Sequence, residues 1–239
     1  MKLDNPLVVQ WEYASEERLA TRNATYSALV TGTNPEKLTF DLVAARAPQD
    51  VLEAGCGMGE LAERIGRETA ARVQALDISE RMVDLTRERG VDVVLGDVQQ
   101  LPYEDDAFDV VVANCVLYHV PDLAGGVAEL ARVLRPDGLL IATTVGPEHM
   151  VELWALIGDA PTSGLSFDHD NGAAILGERF GKVERREANG TVVFPDREAM
   201  RKFVAATTTR SHLADAVPEL TEPFPTRCAH TMFLAEQPN

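Results

Sequence analysis

The sequence predicts an α/β fold, a doubly wound and mostly parallel sheet, from three observations. Five short, nearly all-apolar runs stand at Val51 (VLEA), Arg72 (RVQAL), Val91 (VDVVL), Phe108 (FDVVVANC) and Leu139 (LLIATTV). Segments of helical period separate them, and a glycine-rich turn follows the first run directly. Runs this apolar suit strands covered on both faces, and their alternation with helices is that of parallel strands joined by crossovers.

Ahead of the first strand, residues 10–46 read as helical, with Gly32, Asn34 and Pro35 marking a break. Between the strands the pattern predicts helices at 61–68, at 80–89 with Ser79 as N-cap, and at 123–134, where Leu123, Val127, Leu130 and Leu134 share a stripe. Behind the fifth strand come a helix over 147–158, a turn-rich stretch from Asp159 and a helix over 173–179. Next, Asn189 and Gly190 read as a hairpin turn, followed by a helix over 196–207 and a last strand over 228–236. No repeat or long linker divides the 239 residues, so one domain spans 1–239.

The chain carries 38 Asp plus Glu against 22 Lys plus Arg, a net charge of −16. A surface this acidic repels phosphate backbones, which excludes a sequence-independent nucleic-acid binder. The acidity is concentrated: from Gly90 to Ala131 there are eight acids and no Lys or Arg. The apolar run from Val110 to Val120 falls short of the ~18 residues a membrane span needs, and the N-terminus has no secretory apolar region, so no membrane association is expected. Cys56, Cys115 and Cys228 are odd in number and lack C-x-x-C spacing, which points to a reducing, cytoplasmic setting without disulfides. No metal site is expected either; Asp168, His169 and Asp170 read as caps for the helix that follows.

The informative segment is VLEAGCGMGEL, residues 51–61. Gly55, Gly57 and Gly59 permit a sharp turn and a close backbone approach to a ligand at the strand's carboxyl end, where open α/β sheets bind. A dinucleotide fingerprint read from Gly55 wants glycine at position 60, where Glu60 stands instead. A carboxylate in the helix's first turn opposes a pyrophosphate there. Asp77 ends the second strand, 22 residues past Gly55, where an acid can accept from a ribose diol, and Asp97 ends the third, where it can accept from an exocyclic amine. Glu53 precedes the turn, where a buried carboxylate needs a cation or donors. Three acids around one crevice suit a nucleoside that carries positive charge.

Through VLEAGCGMG, ALDIS, GDVQQLPYEDDAFDVVVANCVLYHV and ARVLRPDGLLIATT, residues 51–145 resemble the class I S-adenosylmethionine-dependent methyltransferases, in particular the small-molecule UbiE-like, type 11 group. The resemblance implies a Rossmann-like sheet of seven strands with the last antiparallel, the final two lying near 183–194 and 228–236. It also implies a helical cap at 1–48, a cofactor-binding core at 49–146, and a substrate-side insertion with C-terminal strands at 147–239. The implied cofactor is S-adenosyl-L-methionine. Gly55, Gly57 and Gly59, with Cys56 in the same loop, would line its methionine and ribose, Glu53 would stand near its amino group, and Asp77 would hold the ribose hydroxyls. Ile78 and Met82 would pack on the adenine, Asp97 and the backbone of Val98 would meet its polar edge, and the carbonyl of Asn114 would approach the amino group. Tyr13, Arg22 and Tyr26 are candidates for closing over the cofactor from the N-terminal helix.

His119, at the carboxyl end of strand four, is the catalytic candidate, since an unperturbed pKa of ~6.5 suits a general base. Trp11, Trp154, Leu156, Phe167 and Phe203 are expected to supply an apolar acceptor wall. The predicted reaction is in-line methyl transfer to O, N or C of a small-molecule acceptor, neutral or cationic because the strand-three and strand-four side offers no fixed cation, by a monomer or homo-oligomer. Two alternatives remain from the sequence: a nicotinamide-dependent oxidoreductase, which Glu60 argues against, and a catalytically silent S-adenosylmethionine-binding protein.

Overall fold

The computed structural model describes residues 2–160 and 164–239. In chain order its elements are α1 (Pro6–Glu12), α2 (Glu17–Leu29), β1 (Val30–Gly32), α3 (Pro35–Arg46), β2 (Asp50–Ala54), α4 (Glu60–Glu68), β3 (Arg72–Asp77), α5 (Glu80–Glu88), β4 (Asp92–Leu95), β5 (Phe108–Asn114), α6 (Leu123–Val133), β6 (Leu134–Val145), α7 (Val151–Leu156), α8 (Gly172–Gly177), β7 (Phe180–Phe194), α9 (Arg197–Ala205) and β8 (Phe224–Pro238). Single 3-10 turns stand at Leu117–His119 and Ser211–Ala216. Ser79 caps α5 as expected, accepting from the amide of Met82 at 3.3 Å.

The strands form one mixed sheet in the order β1-β7-β8-β6-β5-β2-β3-β4. From β4 to β6 every pairing is parallel, while β8 lies antiparallel between β6 and β7. Strand order reverses at β2: the chain steps outward to β3 and β4, then returns to place β5 on the other side. That reversal opens a crevice at the strands' carboxyl ends.

Side chains alternate along each central strand with the period of two that a pleat imposes. Leu52, Val111, Leu140 and Phe233 join one core with Val127 and Leu130 of α6, whereas Val51, Val110, Ile141 and Met232 join the opposite core with Phe40 and Val43 of α3 and Ile65 of α4. A third cluster packs Leu153 and Trp154 of α7 with Met200 and Phe203 of α9, under Tyr26 and Leu29 of α2.

Two expectations are corrected. The N-terminal region is not helical throughout: Val30–Gly32 extends as β1 and adds an eighth strand beyond β7. Asn189 and Gly190 do not turn a hairpin; β7 runs straight through them as one 15-residue strand, as the family resemblance implies. Gly190 pairs with Gly32, and a Cβ on Gly190 would lie 2.5 Å from the carbonyl oxygen of Thr31. The glycine is there for close backbone approach, which a local reading of Asn-Gly cannot distinguish from a turn. The turn-rich stretch expected from Asp159 includes residues 161–163, which lie outside the described residues.

Gly190→Ala is expected to lower stability by about 1–3 kcal/mol in urea denaturation, because neither backbone can yield cheaply. Asn189→Ala should stay within about 0.5 kcal/mol. Equal stability for the two variants would remove the close approach as the reason for the glycine.

Candidate active site

The crevice at the β2–β5 reversal is one cavity of about 1120 Å³, roofed by α1 and α2. Gly55 makes the turn at the end of β2 with φ of 75°, and a Cβ there would lie 2.4 Å from the Val116 side chain. Gly55 and Gly57 line the cavity together with Cys56. Gly59 is not among its lining residues: a Cβ at Gly59 would meet Thr86 of α5 at 2.6 Å, so its bareness serves packing between α4 and α5. The Cys56 thiol is buried against the Thr86 hydroxyl at 3.5 Å, and burial pushes its pKa up, which suits a small filler and not a nucleophile.

Glu53 shares the α3/α4 face of β2 with Val51 and reaches the cavity. Its Oε2 is buried without a hydrogen-bond partner among the described residues. Burial, reinforced by the nearby Glu36, pushes its carboxyl up to about 8. Asp77 at the end of β3 is held by two amides, with Oδ2 accepting from Gly57 and Oδ1 from Ser79, each at 2.9 Å. Burial raises its pKa and those amides oppose the rise.

Ile78, exposed despite its size, and Val98 line the same end, whereas Met82 is fully buried and absent from the lining. Met82, the third residue of α5, is thus buried behind the lining and not at the cavity surface. Asp97 lines the cavity with both oxygens already engaged by the Gln99 side-chain amide, at 3.0 and 2.8 Å. Gln99 lay beyond the sequence reading, two residues past a motif acid with no pattern of its own. Asn114 ends β5 on the wall and accepts from Thr143 at 3.2 Å; Cys115 then turns with φ of 52°.

The roof is latched to the core by polar contacts. Ser79 donates to the Tyr13 carbonyl at 2.7 Å, Arg81 makes two 2.7 Å contacts with Glu16, and Asn23 donates to Glu60 at 2.8 Å. Tyr13, Arg22 and Tyr26 all line the cavity. Arg22 is nevertheless engaged by the buried Glu12 carboxylate and donates to the Ala206 carbonyl at 2.6 Å.

His119 also faces the cavity, close under the roof. Its Nδ1 lies 2.9 Å from the Leu3 carbonyl oxygen, which only accepts, so the proton sits on Nδ1. Its Nε2 then accepts from the Tyr13 hydroxyl at 3.0 Å. Burial lowers the His119 pKa, the Leu3 carbonyl opposing, and burial pushes Tyr13 up to about 12. The far end of the cavity carries Tyr118, His149, Trp154, Phe203, Arg210 and His230. Of these only Trp154 and Phe203 were expected. Trp11 is exposed beneath Arg18, Phe167 is buried in the α6 core, and Leu156 is absent from the lining. Asp168 does not cap α8 as expected: its Oδ1 accepts from the amides of Asp170 and Asn171 at 2.9 and 3.0 Å in the turn before the helix, and the N-cap residue Asn171 makes no side-chain capping bond.

Residues 52–142 match the family described as a methyltransferase domain. The family match thus lies on the glycine-turn half of the chain, and the curated relative described next is a methyltransferase by name. S-adenosylmethionine is the cofactor of such domains, in keeping with the expectation from the motifs. A malonyl-(acyl-carrier protein) O-methyltransferase of Halorhodospira halophila is 34% identical over 169 residues, covering 66% of this chain and 57% of that protein. The chain spans about half the length of the curated relatives it matches. Among solved structures, the cyclase SpnF is similar over 96% of this chain and 95% of its own, with TM-score 0.63 and 19% identity. A 1,6-didemethyltoxoflavin-N1-methyltransferase of Burkholderia thailandensis, solved with that compound and S-adenosylhomocysteine, covers 98% of this chain and 88% of its own, with TM-score 0.59 and 18% identity. These two likenesses establish the fold. Among the described residues no helix is long and apolar enough to cross a membrane.

The cavity wall fits such a cofactor: the Glu53 oxygen without a partner among the described residues can accept from an ammonium, and Asp77 keeps lone pairs for a diol. Because the folded-state pKa of Glu53 is raised from 4.5 to about 8, the folded state holds its proton more tightly than the unfolded chain. Stability from this group is full below the unfolded pKa and declines as pH rises through the folded one, by up to about 1.4 kcal/mol per pH unit. Glu53→Gln is therefore expected to flatten the stability profile between pH 4.5 and about 8, read by urea denaturation at several pH values. Parallel profiles for the variant and the wild type would contradict the buried, unpartnered carboxyl.

Proposed function

We propose that the chain transfers the methyl group of S-adenosylmethionine to oxygen, nitrogen or carbon of a small, neutral acceptor held at the aromatic end of the cavity. The observation that carries this reading is the continuity of one cavity from the Glu53, Asp77 and Asp97 wall to His119, Trp154 and Phe203. The Halorhodospira and Burkholderia proteins are methyltransferases by name, and the latter holds a small acceptor beside S-adenosylhomocysteine. In this reading the nicotinamide alternative falls away, since Glu60 with its Asn23 contact occupies the start of α4.

The cofactor supplies an electrophilic methyl on a sulfonium, already an excellent leaving group. The chain's work is then positioning, which can supply several kcal/mol when nucleophile and methyl are held in line. Glu53, its proton lost to solvent, would accept from the ammonium; Asp77 would accept from the ribose hydroxyls; Ile78 would cover the adenine. Asp97 and Gln99 meet the adenine's polar edge, the Gln99 amide giving way to the exocyclic amine. Gly55 and Gly57 let the backbone come close.

Charge selects the acceptor. The aromatic end brings in two arginines, but Arg22 is paired with Glu12 and Arg210 with Asp159, so neither adds net charge to the wall. The wall's carboxylates, Glu36, Glu53, Glu60, Asp77 and Asp97 among them, stand on the glycine-turn side. A phosphorylated acceptor thus lacks a cation and a cationic one lacks an anion, which narrows the earlier expectation to neutral molecules. For a hydroxyl acceptor, Tyr13 and His119 form a relay: the tyrosine oxygen takes the acceptor's proton as its own passes to Nε2 of His119.

Asp77→Ala is expected to weaken S-adenosylmethionine binding at least ~10-fold by calorimetry, each hydrogen bond to a charged group being worth about 1.5–3 kcal/mol. Unchanged affinity would reject the ribose assignment. His119→Ala and Tyr13→Phe should each lower turnover of a hydroxyl acceptor by ~10²- to 10⁴-fold with cofactor affinity unaltered. Release of S-adenosylhomocysteine from fractionated neutral metabolites is the assay. If the protein binds cofactor and never releases that product, the catalytically silent reading replaces this one.

A further inference from the structure

Three buried donors meet at the far end of the cavity from separate stretches of sequence. Cys228 and His230 are two apart on β8 and share a face. His149 joins them through the turn after β6, which backbone bonds zip onto β8: Gly146 N to Ala229 O at 2.9 Å and Met150 N to Arg227 O at 2.8 Å. Met150 takes φ of 56° as the turn enters α7. The ligand atoms of the three residues lie within 4.8 Å of one another, all in buried residues.

We propose that His149, Cys228 and His230 form a binding site for a single zinc(II)-class metal ion, open on its fourth side to the cavity. Imidazole and thiolate together are the donor set of borderline-soft ions. The Cys228 Sγ to His230 Nδ1 separation is 3.7 Å. A tetrahedral zinc with ordinary Zn–S and Zn–N bonds would set that edge at ~3.6 Å. His149 is oriented as a ligand: its Nδ1 lies 3.1 Å from the Ala229 carbonyl oxygen, so the proton is there and Nε2 carries the lone pair. A metal-bound histidine almost always has such an outer carbonyl or carboxylate partner. Nε2 now accepts from the Tyr26 hydroxyl at 3.0 Å, and on metal binding that phenol would turn to whatever oxygen takes the fourth position.

His149, His230 and Tyr26 all line the cavity, so the open side faces the space assigned to the acceptor. Three protein ligands with one open position is the arrangement of a catalytic zinc. The proton balance is simple: the Cys228 thiol gives its proton to solvent as the ion enters, leaving the site one positive charge. The other cysteines serve as internal controls, because Cys56 contacts Thr86 and Cys115 contacts Thr143, without a pair of histidines.

The site shares its cavity with the methyl-transfer reading, whose neutral acceptor belongs to the metal-free wall, and it is tested without an acceptor. Chelator-treated full-length protein is titrated with cobalt(II) chloride and then with zinc chloride. Expected are one equivalent of cobalt, a thiolate-to-cobalt charge-transfer band, displacement by zinc, and a zinc-dependent rise in Tm. Cys228→Ser should abolish the band, and His149→Ala should weaken zinc binding by more than the ~10- to 100-fold that loss of an outer partner costs. Cys115→Ser should leave both intact. Absence of a charge-transfer band in the wild type overturns the proposal whatever the variants do. A band that survives Cys228→Ser and vanishes with Cys56→Ser or Cys115→Ser overturns it equally.

Discussion

The reversal of strand order at β2 is the constraint from which the site follows. Strands β3 and β4 are laid down on one side of β2 and β5 on the other, so the carboxyl end of β2 faces a gap that no crossover helix covers. Gly55 must turn there without a side chain, since Val116, following β5, already occupies the place a Cβ would take. The same end carries Glu53 on the α3/α4 face, where burial holds its proton and leaves one oxygen without a partner. A buried acceptor of this kind is costly unless a ligand answers it.

Electrostatics divide the cavity in two. Acids gather on the glycine-turn side, where strands β2, β3 and β4 end; the opposite end is built from aromatic rings, hydroxyls and imidazoles. Burial pushes His230 down to about 4, and His149 is also lowered, by burial and by the adjacent His230. Both rings are therefore neutral near pH 7, and the aromatic end recognises shape and hydrogen-bonding pattern more than charge. The net charge of −16, read first as an argument against nucleic acid, thus has a local counterpart in the acids around the cofactor region.

What the sequence revealed followed from how local each signal was. Strand runs, the Ser79 cap and the glycine turn depend on a few adjacent residues, and each matched its element. Gly59 and Met82 show what a motif leaves open: it fixes their position along the chain but not their surroundings, and Gly59 packs against Thr86 while Met82 is fully buried. Asn189 and Gly190 misled because backbone approach and turning make the same demand on a glycine. His149 and His230 were passed over because they lie 81 residues apart and meet only once β8 is inserted beside β6. No spacing rule describes a cluster assembled by an antiparallel strand arriving last.

The roof and the chemistry are built from the same parts. Two histidines from the core, His119 and His149, each have Nδ1 fixed by a backbone carbonyl and Nε2 covered by a tyrosine hydroxyl at 3.0 Å. Both tyrosines, Tyr13 and Tyr26, come from the N-terminal helical region. The Ser79, Arg81 and Glu60 contacts tie α1 and α2 to the core beside the acids of the cavity wall. Each Nε2 lone pair is thus committed to a phenol from the roof. In the proposed reading the N-terminal helical region supplies Tyr13, the first member of the relay, so a chain lacking that region would keep the sheet's acids without the proton path.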